Sequence, residues 1–350
     1  MKYFKIVLIF FIFIYFYLSN DIFAEELPAI SIVTTGGTIA MRTDDKTGSL
    51  VPTLTGEDLI SAIPEIKGLA NIKIIEFSNI DSSNMTPEHW IKLSKLVNNE
   101  LERSEVKGVI ITHGTDTMEE TAYFLDLTVK SKKPVVLIGA QRSASDKDSD
   151  GPRNLLNAVK IVTSPDSYDK GVMVSFNQYM NAARVVRKTH TNNVQTFDSG
   201  EYGSIGYVDD DRVLFYNVPL RRQYLPTPHK LPRVDIISMY TGATGDYIKY
   251  AADSGAKGIV LIAFGRGNVN KAVYDAVKYA VEKGVYIVIA SRVYYGSVKP
   301  EYGVLGGGAS LKELGAIFAD DLTPAKARIL LMLSMSNNEE GNYIQSRFYK

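Results

Sequence analysis

Residues 109–129 of this 350-residue chain read VIITHGTDTMEETAYFLDLTV. A short β-branched run at 109–112 is followed by a polar loop containing Gly114, and then by a mainly apolar stretch at 118–129. That order predicts a strand, a loop and a helix, which is the repeating unit of α/β proteins.

The same alternation occurs along most of the chain. Further apolar runs predict strands at residues 30–33, 72–77, 135–138, 172–176 and 213–218, and beyond them at 234–239, 258–263 and 285–290. Helices are predicted at 87–101, 152–162, 247–254, 271–283 and 324–335. Thr86 and Asp150 are expected to open the first two of these helices as N-terminal caps. Because the strand runs are nearly all apolar, we expect parallel strands covered by helices on both faces.

A proline-rich segment divides the chain. Pro219, Pro226, Pro228 and Pro232 lie within one short stretch, and proline favours extended chain without backbone donors. We therefore expect a linker at 219–232 between an N-terminal domain, 25–218, and a C-terminal domain, 233–350. The predicted fold class is α/β, with a larger N-terminal domain built on a mainly parallel sheet flanked by helices and a smaller C-terminal α/β domain.

The first 24 residues have the layout of a secretory signal peptide. Lys2 and Lys5 precede an apolar run of 13 residues, 6–18, and cleavage is expected after Ala24. The run is shorter than the roughly 18 to 20 residues of a membrane-spanning helix, although an uncleaved N-terminal anchor is the alternative. We expect a periplasmic or secreted protein that does not contact the membrane after cleavage.

Composition excludes several functions. The 39 basic and 39 acidic residues balance, so the chain lacks the charge of a nucleic-acid-binding protein. It has no cysteine, and its four histidines are scattered, so we expect no disulfide, no metal site and no cofactor.

Two loops that follow predicted strands are rich in glycine and hydroxyl groups. Residues 34–40 read TTGGTIA, and residues 113–116 read HGTD just before a helix. A threonine hydroxyl needs a neighbouring base and a stabilised oxyanion to act as a nucleophile, and a lysine near Thr115 and Asp116 would complete a proton relay. The alternative is that the first loop is only a tight turn and the second only a helix cap.

These segments resemble the two signatures of the bacterial L-asparaginase family, in particular the exported type II enzymes and the glutaminase-asparaginases. The resemblance rests on TGGTIA (35–40) and HGTDTMEETAYFLD (113–126), and extends through GAQR (139–142), DGPRNL (150–155), KTHT (188–191) and LTPAKAR (322–328). It covers essentially the whole chain after the signal.

The resemblance implies an amidohydrolase that converts L-asparagine, and often L-glutamine, to the acid and ammonia through an acyl-threonine intermediate. Thr38 matches the family nucleophile, and Thr115, Asp116 and Lys188 match the group that assists proton transfer. Asp116 would also bind the substrate amino group, and Ser82 with Ser83 its carboxylate. The backbone N–H groups of Thr38 and Thr115 would stabilise the oxyanion. His113 is expected to be structural.

The chain also departs from the family pattern. No tyrosine occurs between residues 41 and 60, where many exported members carry one that meets the nucleophile, and Tyr294, Tyr295 or Tyr302 is expected to replace it. Residues 184–188 read RVVRK where the family usually has RDVTK. The C-terminal domain is expected to supply substrate contacts at Glu301 and near Gly242.

The resemblance further implies a homotetramer, because sites in this family form between neighbouring subunits, and a role in amino-acid catabolism. The competing interpretation from another class is a periplasmic amino-acid-binding protein without catalysis, which would also be exported, two-lobed and α/β.

Overall fold

The computed structural model describes residues 26–210 and 212–350, so the predicted signal peptide lies outside the described residues. The strands are β1 (Ala29–Thr34), β2 (Met41–Thr43), β3 (Leu50–Pro52), β4 (Asn71–Glu76), β5 (Val106–Thr112), β6 (Val135–Ile138), β7 (Val172–Phe176), β8 (Tyr179–Ala182), β9 (Arg187–Lys188), β10 (Phe197–Asp198), β11 (Gly206–Asp209), β12 (Arg212–Phe215), β13 (Val234–Ser238), β14 (Gly258–Ala263), β15 (Tyr286–Ser291) and β16 (Ile317–Phe318). The helices are α1 (Gly56–Ser61), α2 (Pro87–Glu102), α3 (Met118–Thr128), α4 (Gly151–Thr163), α5 (Asp246–Asp253), α6 (Lys271–Glu282), α7 (Gly308–Glu313), α8 (Pro324–Ser336) and α9 (Gly341–Phe348).

The larger domain is built on an eight-stranded sheet in the order β12-β11-β8-β7-β6-β5-β1-β4. The pairs from β4 to β7 are parallel, and those from β7 to β12 are antiparallel. Strands β1, β5 and β6 are almost wholly buried, because separate apolar clusters cover the two faces of the sheet. The carboxyl ends of β4, β1 and β5 therefore lie side by side.

The smaller domain contains a four-stranded parallel sheet in the order β13-β14-β15-β16. The two sheets confirm the predicted fold class. The core of the smaller domain continues into α2 and α3 of the larger one, where Trp90 stacks on Phe124 with ring centroids 5.5 Å apart. The two domains thus share apolar packing.

Two local predictions were wrong. The strand predicted at 213–218 ends at Phe215, and the next residues leave the pairing with β11. Asp150 does not cap α4: its backbone is helical, and its carboxylate accepts hydrogen bonds from the backbone amides of Gln141 and Arg142. Asp150 therefore fixes the loop that follows β6.

A buried ionic cluster joins the domains. Asp321, whose side chain is 8% exposed, accepts two hydrogen bonds from Arg184 at 2.8 and 3.1 Å and one from Arg221 at 3.0 Å. The hydroxyl of Tyr202 donates to the same carboxylate at 2.5 Å. The arginine partners hold the pKa of Asp321 at about 2, despite burial that acts in the opposite direction. The carboxylate and its three partners hold the two domains together.

Between Phe215 and Val234 the described chain forms neither helix nor strand. This segment contains the predicted linker. It is not a loose tether, because Leu225 is fully buried and its amide donates to the carbonyl of Leu127 at 2.8 Å. Within the described residues, no helix is both long enough and apolar enough to cross a bilayer.

Candidate active site

Three loops at the carboxyl edge of the larger sheet meet around Gly36 and Gly37. A Cβ on Gly37, whose φ is +85°, would lie 2.4 Å from the Cα of Gly114. A Cβ on Gly36 would lie 2.6 Å from the backbone of Ile80. Only a residue without a side chain permits these approaches. The paired glycines thus bring the loops after β1, β4 and β5 into contact.

Thr38 lies in the first of these loops, at the start of a single 3-10 turn. Its side chain is half-buried, and its hydroxyl makes no hydrogen bond to another described residue. The first bond of the turn runs from the amide of Ala40 to the carbonyl of Gly37, so the amide of Thr38 precedes it and has no partner there. The amide of Thr115 donates no backbone hydrogen bond within the described chain either. Both predicted oxyanion donors are therefore free.

Lys188 brings the predicted proton relay together. Its Nζ donates to Thr115 Oγ1 at 2.8 Å and to Asp116 Oδ1 at 2.7 Å, across more than 70 residues of sequence. Thr115 is buried and Lys188 is largely so, whereas the side chain of Asp116 is 67% exposed. The cluster therefore has a protected hydroxyl–amine pair and a carboxylate that a ligand can reach.

Ser82 is joined to the same cluster. Its Oγ accepts a hydrogen bond from the amide of Asp116 at 3.2 Å, and its carbonyl accepts one from Thr117 Oγ1 at 2.8 Å. Because the serine oxygen is acting as an acceptor, its own proton is available to a ligand carboxylate. Ser83 is exposed, and its hydroxyl makes no hydrogen bond to another described residue.

His113 is wholly buried beside the cluster. Its Nδ1 lies 2.7 Å from the carbonyl of Gly114, so Nδ1 carries the proton. Its Nε2 then accepts from Thr121 Oγ1 at 2.9 Å, and Thr121 in turn accepts from the indole N–H of Trp90. Burial lowers the pKa of His113 to about 4. This neutral ring supports the loop, in agreement with its predicted structural role.

The three candidate tyrosines have different surroundings. Tyr294 accepts a hydrogen bond at its carbonyl from Arg187, whose guanidinium lies 4.4 Å from the ring centroid. Arg187 directly precedes Lys188. Tyr295 packs against Gly200, and Tyr302 is half exposed. Tyr294 is therefore the candidate linked most directly to the site.

The residues expected from the C-terminal domain do not join the cluster within this chain. Glu301 forms an ion pair with Arg266 at 2.9 Å, and both side chains are exposed. Gly242 lies in an exposed turn with φ of +83°. Both remain predictions about contacts with a neighbouring subunit. Among the described residues, no group of three or more His, Asp or Glu side chains is placed to bind a metal ion.

Sequence reasoning missed a β-hairpin beside Thr38, the predicted nucleophile. Strands β2 and β3 directly follow the turn that contains Thr38, and the carboxylate of Asp44 organises the connection by accepting from Lys46, Thr47 and the Thr47 hydroxyl. The amide of Ala144 donates to the carbonyl of Met41 at 3.1 Å, so the hairpin is bound to the loop after β6. The DDKTG sequence at 44–48 is the turn signal that could have predicted it.

A free hydroxyl, two free amides and a lysine–threonine–aspartate cluster at a sheet edge are typical of hydrolytic enzymes that use a hydroxyl nucleophile. The chain belongs to the asparaginase family. The family model described as "Asparaginase, N-terminal" matches residues 29–221, and the one described as "Glutaminase/Asparaginase C-terminal domain" matches residues 233–348. The resemblance drawn from the sequence is confirmed.

Relatives match over nearly the whole chain. A protein named "Probable L-asparaginase periplasmic" from Haemophilus influenzae is 40% identical, over 93% of each chain. "L-asparaginase 2" from Escherichia coli is 38% identical, over 93% of this chain and 94% of its own. A crystal structure titled as a probable cytoplasmic L-asparaginase from Campylobacter jejuni has a TM-score of 0.84 at 41% identity, and covers 92% of this chain and 99% of that one.

Proposed function

We propose that this protein hydrolyses the side-chain amide of L-asparagine, with Thr38 as the nucleophile. The enzyme class, an L-asparaginase acting on a linear amide, follows from membership of the family. The observation that carries the assignment of the site is the contact of Lys188 with both Thr115 and Asp116, next to the loop of Thr38.

In the first half-reaction the Thr38 oxygen attacks the amide carbon and forms a tetrahedral intermediate. The free amides of Thr38 and Thr115 would donate to its oxyanion. The intermediate collapses when the carbon–nitrogen bond breaks, and the departing nitrogen takes the proton that the Thr38 hydroxyl gave up and leaves as ammonia. The product of this step is an ester between Thr38 and the aspartyl group.

In the second half-reaction water attacks the ester. A neutral Lys188 amine accepts the hydroxyl proton of Thr115, and Thr115 in turn takes a proton from the attacking water. The proton then held by Lys188 replaces the one that Thr38 gave up in the first half-reaction. Breakage of the ester bond returns the proton to Thr38 and releases L-aspartate. The carboxylate of Asp116 keeps Lys188 in place. Because this carboxylate is exposed, it can also bind the substrate amino group.

The substrate carboxylate would bind Ser82, whose hydroxyl proton is available. Ser83, the next residue along the chain, would contribute less. Because L-glutamine differs by one methylene, which a pocket distinguishes by only about 1–3 kcal/mol, we propose glutamine hydrolysis as a side activity. The side activity is tested by measuring kcat/KM for L-asparagine and L-glutamine with one preparation. A complete absence of ammonia from glutamine refutes it.

The experiment on the nucleophile measures ammonia release by Thr38→Ala and Thr115→Val. Each should lower kcat by at least about a thousandfold, the scale of loss when a nucleophile or its activating group is removed. Thr43→Ala is the matched control, because this exposed threonine lies on the neighbouring hairpin and should keep full activity. A mild loss in Thr38→Ala would refute the assignment.

The competing function, an amino-acid-binding protein, predicts a different result. Such a protein would bind L-asparagine but release no ammonia. The lysine–threonine–aspartate cluster favours the enzyme, since binding alone needs no buried hydroxyl–amine pair. Calorimetric binding of asparagine by the purified protein, without ammonia in the same samples, would overturn the catalytic proposal.

We also propose self-association as a homotetramer. The C-terminal domain exposes large apolar side chains, including Tyr247, Tyr250 and Val304, each about 70% exposed. Tyr247 and Tyr250 lie three residues apart on α5 and so present neighbouring apolar surface, which is typical of interfaces. Analytical ultracentrifugation should give the mass of four chains, and full activity at the mass of one chain would contradict the proposal.

Export is proposed from residues 1–24. The names of similar proteins point in different directions, since the Haemophilus relative is named periplasmic and the Campylobacter structure is titled cytoplasmic. N-terminal sequencing of the protein recovered outside the cytoplasm should begin at Glu25. Recovery of the chain only in the cytoplasm, with residue 1 intact, would refute it.

A further inference from the structure

Lys326 is an unusual residue to find in a protein core. Its side chain is 0% exposed, and its one hydrogen bond to the described chain runs from Nζ to the carbonyl oxygen of Val186. It lies in the first turn of α8, where the partial positive charge of a helix start disfavours a cation. Burial lowers the pKa of Lys326 to about 7, although the charge of Glu119 opposes that shift. This amine therefore costs stability.

The carbonyl that Lys326 binds belongs to the segment that carries Lys188. Val186 is fully buried and lies two residues before Lys188 in the chain. Strand β9, which contains Lys188, has only two residues and pairs only with the equally short β10 in the described structure. Neither large sheet holds it. The amide of Val186 donates to the carbonyl of Ala182 at the end of β8, at 3.1 Å, so beyond that turn the segment depends on contacts from other elements for its position.

Those contacts come from the C-terminal domain at three points. Arg184 is paired with Asp321, Arg187 is stacked on Tyr294, and between them Val186 receives the hydrogen bond from Lys326. The outer two contacts are made by side chains. The contact from Lys326 is the one made to the backbone itself, so it fixes the main chain that leads into Lys188.

We propose that Lys326 is a positioning residue for catalysis: by binding the carbonyl of Val186 it holds the backbone so that the Lys188 amine reaches Thr115. This inference rests on the proposed role of Lys188. This role accounts for a lysine whose burial lowers the stability of the protein. The lost stability is offset by a correctly positioned catalytic site. An interaction that serves only stability would be better replaced by an apolar side chain of the same shape.

Two substitutions of similar length separate the two roles. Lys326→Met fills the same space without a donor, whereas Lys326→Gln keeps an N–H donor for Val186. We expect Lys326→Met to lower kcat about 10- to 100-fold, the cost of a small displacement of a catalytic group. KM for asparagine should change less than about threefold, because substrate binding is assigned to Ser82 and Asp116. The Tm of Lys326→Met should equal or exceed that of the unsubstituted protein.

Lys326→Gln should retain at least about three times the kcat of Lys326→Met, as expected if the hydrogen bond is what matters. The proposal is overturned if the two variants lose kcat equally, or if the loss follows a fall in Tm. The variant Lys188→Met shows whether such a result refutes only the positioning role of Lys326 or the proposed function as well. If Lys188→Met is active, the site assignment fails; if it is inactive while Lys326→Met is fully active, only the positioning role fails.

A chemical variant covers the case in which neither substitution gives soluble protein. Because the chain contains no cysteine, Lys326→Cys would carry the single thiol. Alkylation in urea with 2-bromoethylamine restores an amine at the length of lysine, and bromoethane gives the matched adduct without it. After refolding, only the aminoethyl form should recover kcat. Equal recovery by both, or none by the aminoethyl form while similarly treated unsubstituted protein is active, overturns the proposal.

Discussion

Replacing Asp321 by asparagine should lower the free energy of unfolding, and the size of the loss should depend on pH. In the folded chain the pKa of Asp321 is about 2, against an ordinary value of 3.8, because Arg184 and Arg221 bind the ionised form. At about 1.36 kcal/mol for each unit of pKa difference, ionisation contributes about 2 kcal/mol to the free energy of unfolding at neutral pH. The neutral amide of the variant cannot provide that contribution, and it also leaves the buried Arg184 without its charge partner.

The direction of the pH dependence follows from the lowered pKa. The ionised carboxylate contributes fully above about pH 4, and its contribution is lost as the pH falls towards about 2. At pH 7, we expect Asp321→Asn to lower the free energy of unfolding by about 3 kcal/mol, the range for breaking a buried ion pair. Near pH 2, where the native carboxylate is about half protonated and the unfolded one almost fully, the difference should shrink to about 1 kcal/mol.

The assay is urea unfolding followed by circular dichroism at several pH values and one protein concentration. Asp275→Asn is the control, because Asp275 forms an exposed ion pair with Lys271. This substitution should lower the free energy of unfolding by less than about 0.5 kcal/mol. A deficit for Asp321→Asn below about 1 kcal/mol at pH 7 would refute the reasoning. So would an equal deficit at pH 7 and pH 2.

Three further predictions concern the site. Gly37→Ala should abolish activity and soluble expression, because its Cβ would meet the Cα of Gly114 at 2.4 Å; Gly48→Ala, with φ of +66° and open space around it, should cost only about 1 kcal/mol and keep activity. By NMR, the buried His113 ring should not titrate between about pH 5.5 and 8, and a midpoint near 6.5 would show that it is not held neutral. Tyr294→Phe should reduce kcat at least about tenfold, and unchanged turnover would remove Tyr294 as the replacement for the missing loop tyrosine.

The parallel strands were predictable because each is a nearly continuous apolar run, as at 135–138 and 172–176, where predicted and observed limits agree. In the antiparallel half of the large sheet only β12 was predicted, and with a wrong end. Strands β8 and β11 have four residues each, and β8 contains Asn181, a buried polar residue that interrupts any apolar pattern. Such strands are specified by their neighbours in space, which a local pattern does not contain.

The loops that form the site were predictable for a related reason. Thr38 and Thr115 each follow a recognisable strand, and parallel strands end at one edge of a sheet. Lys188 could be chosen only through the family resemblance, because it sits on a two-residue strand and approaches from more than 70 residues away. The role proposed for Lys326 needed the structure, since a lysine in a helix start gives no sign from sequence that it is buried.

The order in which the parts of the site occur along the chain has a consequence for biosynthesis. Thr38, Ser82 and Thr115 emerge early from the ribosome, but the contacts that hold the Lys188 segment come from residues 294–326, close to the end of the chain. A nascent or truncated chain that stops within the linker can complete the large sheet and still lack a positioned lysine. On the proposed mechanism, activity requires residues 294–326 as well as the larger domain, and fragments that lack them after incomplete synthesis or proteolysis should be inert.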